Sequence, residues 1–201
     1  EKDKFLYVAI TPKASAGTSP GSIAKSAWVG PVGGETVTFS YMGSQVTYGV
    51  IVSAVTGKKW LDRNLGAKQA ATSVTDYLAY GDLFQWGRLA DGHQSINWTS
   101  PTPTAVNGTS SIFSTTDIPA NSLFIINPDA APYDWRTPKN DNLWQGVNGI
   151  NNPCPDGWRI PTATEWKAEN IGIPERIFQL KLVAAGSRRY SSGGLSAIGF
   201  S

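Results

Sequence analysis

A short run of oxygen-bearing side chains is the clearest candidate for metal chemistry in this chain. Asp134, Asn140, Asp141 and Asn142 lie close together in the sequence, and calcium accepts carboxylate and amide oxygens as ligands. Calcium takes six to eight such oxygens, and these residues alone do not complete a shell. The same residue types also form turns by bonding to their own backbone. Two interpretations stay open: a calcium site that includes Asp134, Asp141 and Asn142, or a series of turns.

Few residues could perform covalent or acid–base chemistry. Cys154 and His93 are the only residues of their types, which excludes a disulfide within the chain, a cysteine-built zinc site and a histidine cluster. Cys154 stands between two prolines, with no adjacent cation to favour a thiolate. His93 follows a turn signal, Asp91-Gly92, which predicts a surface position. Asp62 is followed by an arginine, which lowers a carboxyl pKa and so disfavours a general acid at neutral pH. We therefore predict no catalytic residue and a protein that is not an enzyme.

The eight tryptophans offer a third kind of chemistry, because indole rings stack on the CH faces of sugars. Large aromatic side chains are more often buried, so we expect core positions for Trp60, Trp86, Trp158 and Trp166. Trp98 differs because it lies in an irregular, Ser/Thr-rich segment, residues 95–122, where an exposed ring is expected. Loops carry binding residues more often than cores do, and Trp98 is therefore the predicted ligand-binding residue.

The composition indicates a loop-rich domain. The chain has 201 residues, of which 21 are glycine, 13 are proline and only 16% are charged. This mixture favours turns and loops over a helical bundle. The net charge is +2 and the basic residues are scattered, which argues against binding to nucleic acid. The chain contains no apolar run of transmembrane length and no signal peptide, and we expect no membrane span.

Alternating residues predict a β-hairpin in the first quarter of the chain. After a predicted strand at residues 5–10, apolar and polar residues alternate in residues 36–41 and again in residues 46–50. A two-residue turn at Gly43-Ser44 would join these strands. That turn predicts three opposed pairs: Tyr41 with Val46, Phe39 with Tyr48, and Val37 with Val50.

One helix start is well marked in the sequence. Pro161 ends an extended segment, and Thr162 with Glu165 forms a T-x-x-E capping box, which predicts a helix over residues 162–170. Residues 78–88 have a weaker helical pattern that two glycines interrupt. Further strands are predicted at residues 59–61, 180–183 and 195–200.

Three segments resemble, in this order, the motifs of one protein family. They are residues 60–67 (WLDRNLGA), residues 80–88 (YGDLFQWGR) and residues 152–162 (NPCPDGWRIPT), the last followed by Glu165-Trp166. Together they resemble the Fibrobacter succinogenes major paralogous domain, which is common in gut bacteria of the Bacteroides group. The similarity covers roughly residues 46–201.

The resemblance implies a mixed α+β fold. Its core is C-type lectin-like: two helices flank small antiparallel sheets, and long loops carry the binding surface. We expect this core in residues 46–201, and in residues 1–45 an N-terminal β extension or the remnant of an upstream β domain. The family usually continues with a Tyr/Trp/Ser-rich segment and a final strand with a second cysteine. We therefore expect a core that is truncated at its C-terminal end and a Cys154 without its disulfide partner.

The function that the resemblance implies is recognition. Family members are typically exported, as lipoproteins, pilus-tip adhesins or phage receptor-binding parts. We expect a non-enzymatic, extracellular adhesion module at the cell surface, lipid-anchored or pilus-associated, that binds a glycan or a protein of a host or bacterial surface. Calcium is the one cofactor considered. Two alternatives stay open: a pilus or fibre subunit that assembles by strand pairing, and an enzyme of the related formylglycine-generating type, which depends on a pair of cysteines.

Overall fold

The structure is a computed structural model that describes residues 34–100, 102–128, 133–172, 174–196 and 198–199, together with two short strands upstream. Its strands are β1 (Ala9–Ile10), β2 (Ala24–Lys25), β3 (Thr36–Tyr41), β4 (Ser44–Val52), β5 (Lys59–Leu61), β6 (Ile96–Asn97), β7 (Thr104–Ala105), β8 (Thr109–Ser110), β9 (Phe124–Ile125), β10 (Ser187–Arg188) and β11 (Leu195–Ser196). Its helices are α1 (Ala163–Ala168) and α2 (Pro174–Gln179), and a single 3₁₀ turn covers Tyr77–Ala79. Among these residues, no helix has the length and apolarity needed to cross a membrane. The fold is thus a small α+β fold in which loops predominate.

The sheets are small. Strands β3, β4 and β5 form a three-stranded antiparallel sheet in sequence order. The other strands pair two by two, antiparallel in β1–β2, β6–β7 and β10–β11, and parallel in β8–β9. The predicted strand at residues 59–61 is confirmed as β5, whereas residues 5–8 of the first predicted strand lie outside the described residues. Small antiparallel sheets are therefore confirmed, with β8–β9 as an exception that the long connection between these two strands permits.

The hairpin forms, but its register differs from the predicted one. The turn lies at Met42-Gly43 rather than at Gly43-Ser44, so that Phe39 faces Val46 and not Tyr48. Both turn residues have positive φ, 49° and 79°, as a type I′ turn requires, and glycine suits the second position. The rings of Phe39 and Tyr48 still meet edge to face as diagonal neighbours, with centroids 5.1 Å apart. Because side chains alternate with a period of two, this slip of two residues keeps the same side chains on the same face.

Helix α1 begins with the predicted capping box. The Thr162 hydroxyl accepts a hydrogen bond from the Glu165 backbone N–H at 3.2 Å, and the Glu165 carboxylate accepts one from the Thr162 N–H at 2.9 Å. The cap thus satisfies backbone donors that the first helical turn leaves unpaired. Arg159 adds a bidentate ion pair to Glu165, with both N–O distances at 2.8 Å. Glu165 therefore joins the start of the helix to the corner before it.

Replacing Thr162 with alanine is expected to lower the free energy of unfolding by about 1 kcal/mol, because the cap is lost. Thr164→Ala is the matched control, since Thr164 is an exposed residue of the first helical turn and alanine is the better helix former. Urea denaturation followed by tryptophan fluorescence measures both variants. Equal losses in the two would mean that the cap contributes nothing.

The weaker helical pattern at residues 78–88 does not form a helix. Only Tyr77–Ala79 makes a 3₁₀ turn, and the carboxylate of Asp76 caps it by accepting a backbone N–H at 3.2 Å. Gly81 and Gly87 then take left-handed φ angles of 69° and 82°. A Cβ on Gly81 would lie 2.5 Å from the carbonyl oxygen of Leu65. The helix prediction is wrong because these glycines allow tight turns and close backbone approach.

The predicted C-terminal strands are largely wrong. Residues 180–183 form a turn and irregular backbone, and Lys181 has a left-handed φ of 55° that a strand cannot contain. The strand in this region is β10, which pairs with β11. Strand β11 covers Leu195–Ser196 of the predicted residues 195–200, and residues 197 and 200 lie outside the described residues.

Two small apolar clusters form the core. One consists of Tyr80, Ile96 and Trp98, and the other of Ile125, Trp135 and Leu143. Several polar or charged residues are buried just as deeply: Gln85, Arg88, His93, Gln94 and Glu169. Charged side chains are almost never fully buried unless they are paired. These buried residues therefore show where polar contacts hold the loops together.

Candidate functional site

A buried arginine organises the loops around the second motif. Arg88 is fully buried, and its guanidinium donates to Asp91 at 2.5 and 3.1 Å and to Gln85 at 2.9 Å. It also donates to two backbone carbonyls of the loop before β9, at 2.8 and 3.2 Å. Gln85 exchanges two further hydrogen bonds with the backbone of β9, at 2.8 and 2.9 Å. We call Gln85, Arg88, Asp91 and His93 the Arg88 cluster. Its contacts hold loops in place and leave Arg88 no exposed group.

His93 lies inside this cluster. Its ring is fully buried, Nε2 accepts the backbone N–H of Gln85 at 2.9 Å, and Nδ1 lies 2.6 Å from a carboxylate oxygen of Asp91. Because Nε2 accepts a hydrogen bond, the ring is neutral and carries its proton on Nδ1. Burial lowers the pKa of His93, and the nearby Arg88 acts in the same direction against the opposing effect of Asp91. The prediction of a surface turn residue is wrong, because Asp91 pairs with Arg88 and turns this loop inward.

The stability of the protein is expected to fall as the pH is lowered from about 7 to about 5. In this window the unfolded chain binds a proton at His93 near its ordinary pKa of about 6.5, whereas the folded ring stays neutral. The slope is at most about 1.4 kcal/mol per pH unit. Despite burial, hydrogen bonds from His93 and Arg88 keep the pKa of Asp91 below its usual value. Protonation of Asp91 therefore affects stability only in more acidic solution.

Urea denaturation at several pH values measures this slope. His93 is the only histidine of the chain, and His93→Gln should therefore remove its contribution to the slope in that window, whereas Asp82, whose pKa burial raises, contributes with the opposite sign in both proteins. An unchanged slope in this variant would contradict a neutral, buried His93.

Trp98 is a core residue, so the prediction of an exposed ring is wrong, and ligand binding at Trp98 stays a prediction that this burial disfavours. Only 4% of its surface is exposed, and its Nε1–H donates to the Gly81 carbonyl at 2.5 Å. Its ring meets that of Tyr80 edge to face, with centroids 4.9 Å apart. The Ser/Thr-rich segment around it contains the short pair β6–β7, and this pairing orders the segment against the core.

The predicted calcium ligands make local contacts with their own loop. Asp141 pairs with Lys139 at 2.7 Å, and the Asn142 backbone N–H donates to the Asn140 side chain at 3.1 Å. Asp134 accepts a backbone N–H two residues later, at 3.2 Å. Within the described ranges, no group of three or more His, Cys, Asp and Glu side chains is arranged to hold a metal ion. Calcium at Asp134, Asp141 and Asn142 stays a prediction that a calcium titration can decide.

An open cleft lies between the first and third motifs. Its volume is about 610 Å³, which falls within the range of small-molecule sites. Residues of β5, the segment after β5, the corner at residues 154–161, α1 and the segment after α2 line it. The indoles of Trp60, Trp158 and Trp166 belong to this lining, together with Cys154. We call this opening the tryptophan cleft.

Three different elements hold the three indoles. Trp60 extends from β5, and Trp166 on α1 meets it edge to face, with centroids 5.9 Å apart. Trp158 belongs to the corner, where its carbonyl accepts a hydrogen bond from Asn152 at 2.7 Å. Trp166 keeps 37% of its surface exposed, so one indole is accessible to a ligand.

A buried carboxylate fixes two of these elements to each other. Glu169 caps the C-terminal end of α1 and is 1% exposed. It accepts hydrogen bonds from Ser53 and Thr56 at 2.5 Å and from the Trp60 indole at 3.0 Å. Donors to a charged carboxylate form strong hydrogen bonds. Glu169 therefore anchors α1 to the turn between β4 and β5 and orients one indole of the cleft.

Cys154 is a free thiol in the lining of the cleft. Burial raises the pKa of this thiol to about 11. At neutral pH the thiol is therefore protonated and not nucleophilic. The expected loss of its disulfide partner stays a prediction.

The three motifs meet in one structure. The side chain of Asn151, next to the third motif, donates to the carbonyl of Gly87 in the second motif at 2.9 Å. Gly81 of the second motif lies against Leu65 of the first.

No family model, curated protein or solved structure matches this chain. The resemblance to the Fibrobacter succinogenes major paralogous domain therefore stays a prediction.

A smaller pocket of about 250 Å³ adjoins the tryptophan cleft across residues 159–161, which line both openings. It contains Trp86 and Trp144, whose ring centroids lie 6.1 Å apart. Trp86 is 45% exposed and belongs to the smaller pocket and not to the cleft. The core positions that we expected for Trp86 and Trp166 are therefore wrong, and the exposed ring of Trp86 provides a useful control.

Sequence reasoning missed most residues that shape the cleft. The motif spacing allows one to infer the pair of Arg159 with Glu165, because the capping box already places Glu165. Nothing in the sequence places Lys181 at the cleft, since its segment resembles a strand. Glu169 lies near the end of the predicted helix, and its partners Ser53 and Thr56 lie more than a hundred positions upstream.

Proposed function

We propose that this protein is a non-enzymatic, extracellular recognition module with a C-type lectin-like core, and that it binds a surface glycan in the tryptophan cleft. The observation that carries the proposal is the grouping of Trp60, Trp158 and Trp166 around one open cleft. Aromatic rings present flat apolar faces on which the CH faces of a sugar pack. Small-molecule sites typically combine such a lining with a few charged groups that fix orientation, as this cleft does.

The state of the reactive groups supports binding rather than bond-breaking. The Cys154 thiol is protonated at neutral pH because burial raises its pKa. His93 is buried inside the Arg88 cluster. The Glu165 carboxylate accepts from Arg159, Thr162 and Lys58, and these contacts, Arg159 first, hold its pKa well below the usual range. A carboxyl group in this state cannot act as a general acid at neutral pH.

A glycan array tests the proposal, followed by titration of each positive glycan with the protein. The wild-type chain should show saturable binding that changes tryptophan fluorescence. Trp166→Ala should weaken binding about tenfold or more, because indoles are frequent hot spots of binding energy.

Trp86→Ala is the matched control, since it removes a similarly exposed indole outside the cleft. It should leave the affinity within about twofold of the wild type. Absence of any glycan binding by the folded protein, or equal losses in both variants, would refute the assignment of the cleft. Assembly by strand pairing into a fibre is a separate prediction, which measurement of mass against concentration tests.

A further inference from the structure

The tryptophan cleft has an unequal set of charges. Five cationic side chains line it: Lys58, Lys59, Arg63, Arg159 and Lys181. Two carboxylates line it as well, those of Glu35 and Glu165. A ligand that enters the cleft therefore meets mostly positive groups.

Two of these cations are neutralised one to one. Arg63 makes a bidentate pair with Asp62, at 2.7 and 2.8 Å. Lys59 lies 2.5 Å from the carboxylate of Glu35. These pairs leave no net charge for a ligand.

The other three cations have one carboxylate among them, and it pairs with two of them. Glu165 pairs with Arg159 at 2.8 Å and with Lys58 at 3.1 Å, so two positive charges face one negative charge. Lys181 has its ammonium 4.6 Å from the ring centroid of Phe178, and no carboxylate in the described part of the chain lies within ion-pair distance of it. Five cations against four carboxylates, with Asp62 and the Glu169 carboxylate that accepts the Trp60 indole included, still leave the cleft with a positive charge.

The chemical type of the available cations indicates which anionic groups the cleft can bind. Both guanidinium groups of the cleft already hold a carboxylate in bidentate geometry. The surplus is thus presented by the ammonium groups of Lys58 and Lys181, which act as point charges and do not select a planar carboxylate. The low-dielectric walls that the indoles provide concentrate this potential within the cleft.

We propose that the occupant of the cleft is an acidic saccharide, a sugar that carries a carboxylate or a sulfate group. The inference rests on the proposed glycan binding and adds its chemical class. The CH faces of the sugar pack on the indoles, and its acidic group balances the surplus charge at Lys58 and Lys181. An acidic peptide would satisfy the charge but would leave the flat indole faces without the ring that suits them.

Titration of the whole chain with matched probes tests this inference. The probes are tetragalacturonate, its carboxyl-reduced neutral counterpart, a sulfated galactose tetramer and a poly-glutamate peptide. The two acidic sugars should bind about tenfold or more tightly than the neutral sugar in low salt, and this advantage should shrink at about 0.5 M salt. A carboxylate-only or a sulfate-only advantage identifies the source of the charge and supports the inference in either case.

Two lysine variants locate the charge. Lys181→Gln should weaken binding of the acidic sugars about three- to tenfold and leave the neutral sugar unchanged. Lys58→Gln should change binding in the same direction. It replaces the first variant if the left-handed backbone at Lys181 does not tolerate glutamine. Lys139→Gln removes an equal charge outside the cleft and should change nothing.

The outcomes separate this inference from the proposal beneath it. Equal binding of acidic and neutral sugars, with loss in Trp166→Ala, would overturn the acidic class and keep glycan binding. No binding of any sugar would overturn both. Poly-glutamate binding as tight as that of tetragalacturonate and insensitive to Trp166→Ala would overturn the saccharide in favour of an acidic peptide.

Discussion

Replacing Arg88 with methionine is expected to lower the free energy of unfolding by about 3–5 kcal/mol. Arg88 is fully buried and donates to Asp91, Gln85 and two backbone carbonyls. The variant would leave the Asp91 carboxylate without its ion pair and the carbonyls without these donors, and unpaired buried groups are costly. Guanidinium chloride denaturation followed by tryptophan fluorescence measures the loss.

Two further variants make this expectation specific. Arg189→Met alters an exposed arginine of the same type and should change stability by less than about 0.5 kcal/mol. Arg88→Lys should lose less unfolding free energy than Arg88→Met but remain less stable than the wild type, because one ammonium group cannot donate to all the acceptors that the planar guanidinium contacts. If all three variants unfold at one denaturant concentration, Arg88 does not hold the loops together.

The second motif illustrates what sequence reasoning could not reach. It predicted a weak helix over residues 78–88, whereas the glycines there form tight turns. The burial of Arg88 and His93 was not predictable from neighbouring residues, because the partners of Arg88 include a carbonyl 35 positions away. Charged residues beside a turn signal are usually solvated, and only the long-range contact reverses that expectation.

The hairpin separates what a periodic pattern determines from what turn chemistry determines. Alternation placed Phe39 and Tyr48 on one face, and they lie on one face. Any shift by two residues preserves that result, so the pattern alone cannot select the register. The positive φ angles of Met42 and Gly43 select it, and the sequence suggested a different pair of turn residues.

The tryptophan cleft depends on contacts that no single motif contains. Trp60 comes from the first motif and Trp158 from the third, while Lys181 comes from a segment predicted as a strand. Their meeting depends on Glu169, which fixes α1 to the turn after β4. The sequence predicted core positions for these indoles, and the structure shows that three of them line an open cleft in which Trp166 is the exposed one of the three.

Replacing Gly81 with alanine is expected to cost about 2–5 kcal/mol of unfolding free energy, the sum of a backbone and a packing penalty. Gly81 has a φ of 69°, which disfavours any side chain. An added Cβ would also lie 2.5 Å from the backbone oxygen of Leu65 and 2.9 Å from the Cβ of Asn64. Backbone atoms cannot move aside as the end of a flexible side chain can, so the first and second motifs would have to separate.

Gly57→Ala isolates the packing penalty, because Gly57 has the same φ of 69° and nothing within 4 Å of an added Cβ. This control should cost only about 1–2 kcal/mol, the backbone penalty alone. The difference between the two variants in urea denaturation therefore measures how tightly the motifs press together at Gly81. Since the carbonyl of Gly81 also accepts the Trp98 indole, the near-ultraviolet circular dichroism of Gly81→Ala should change as well. Equal costs for the two variants would mean that the first and second motifs do not pack as closely as the structure places them.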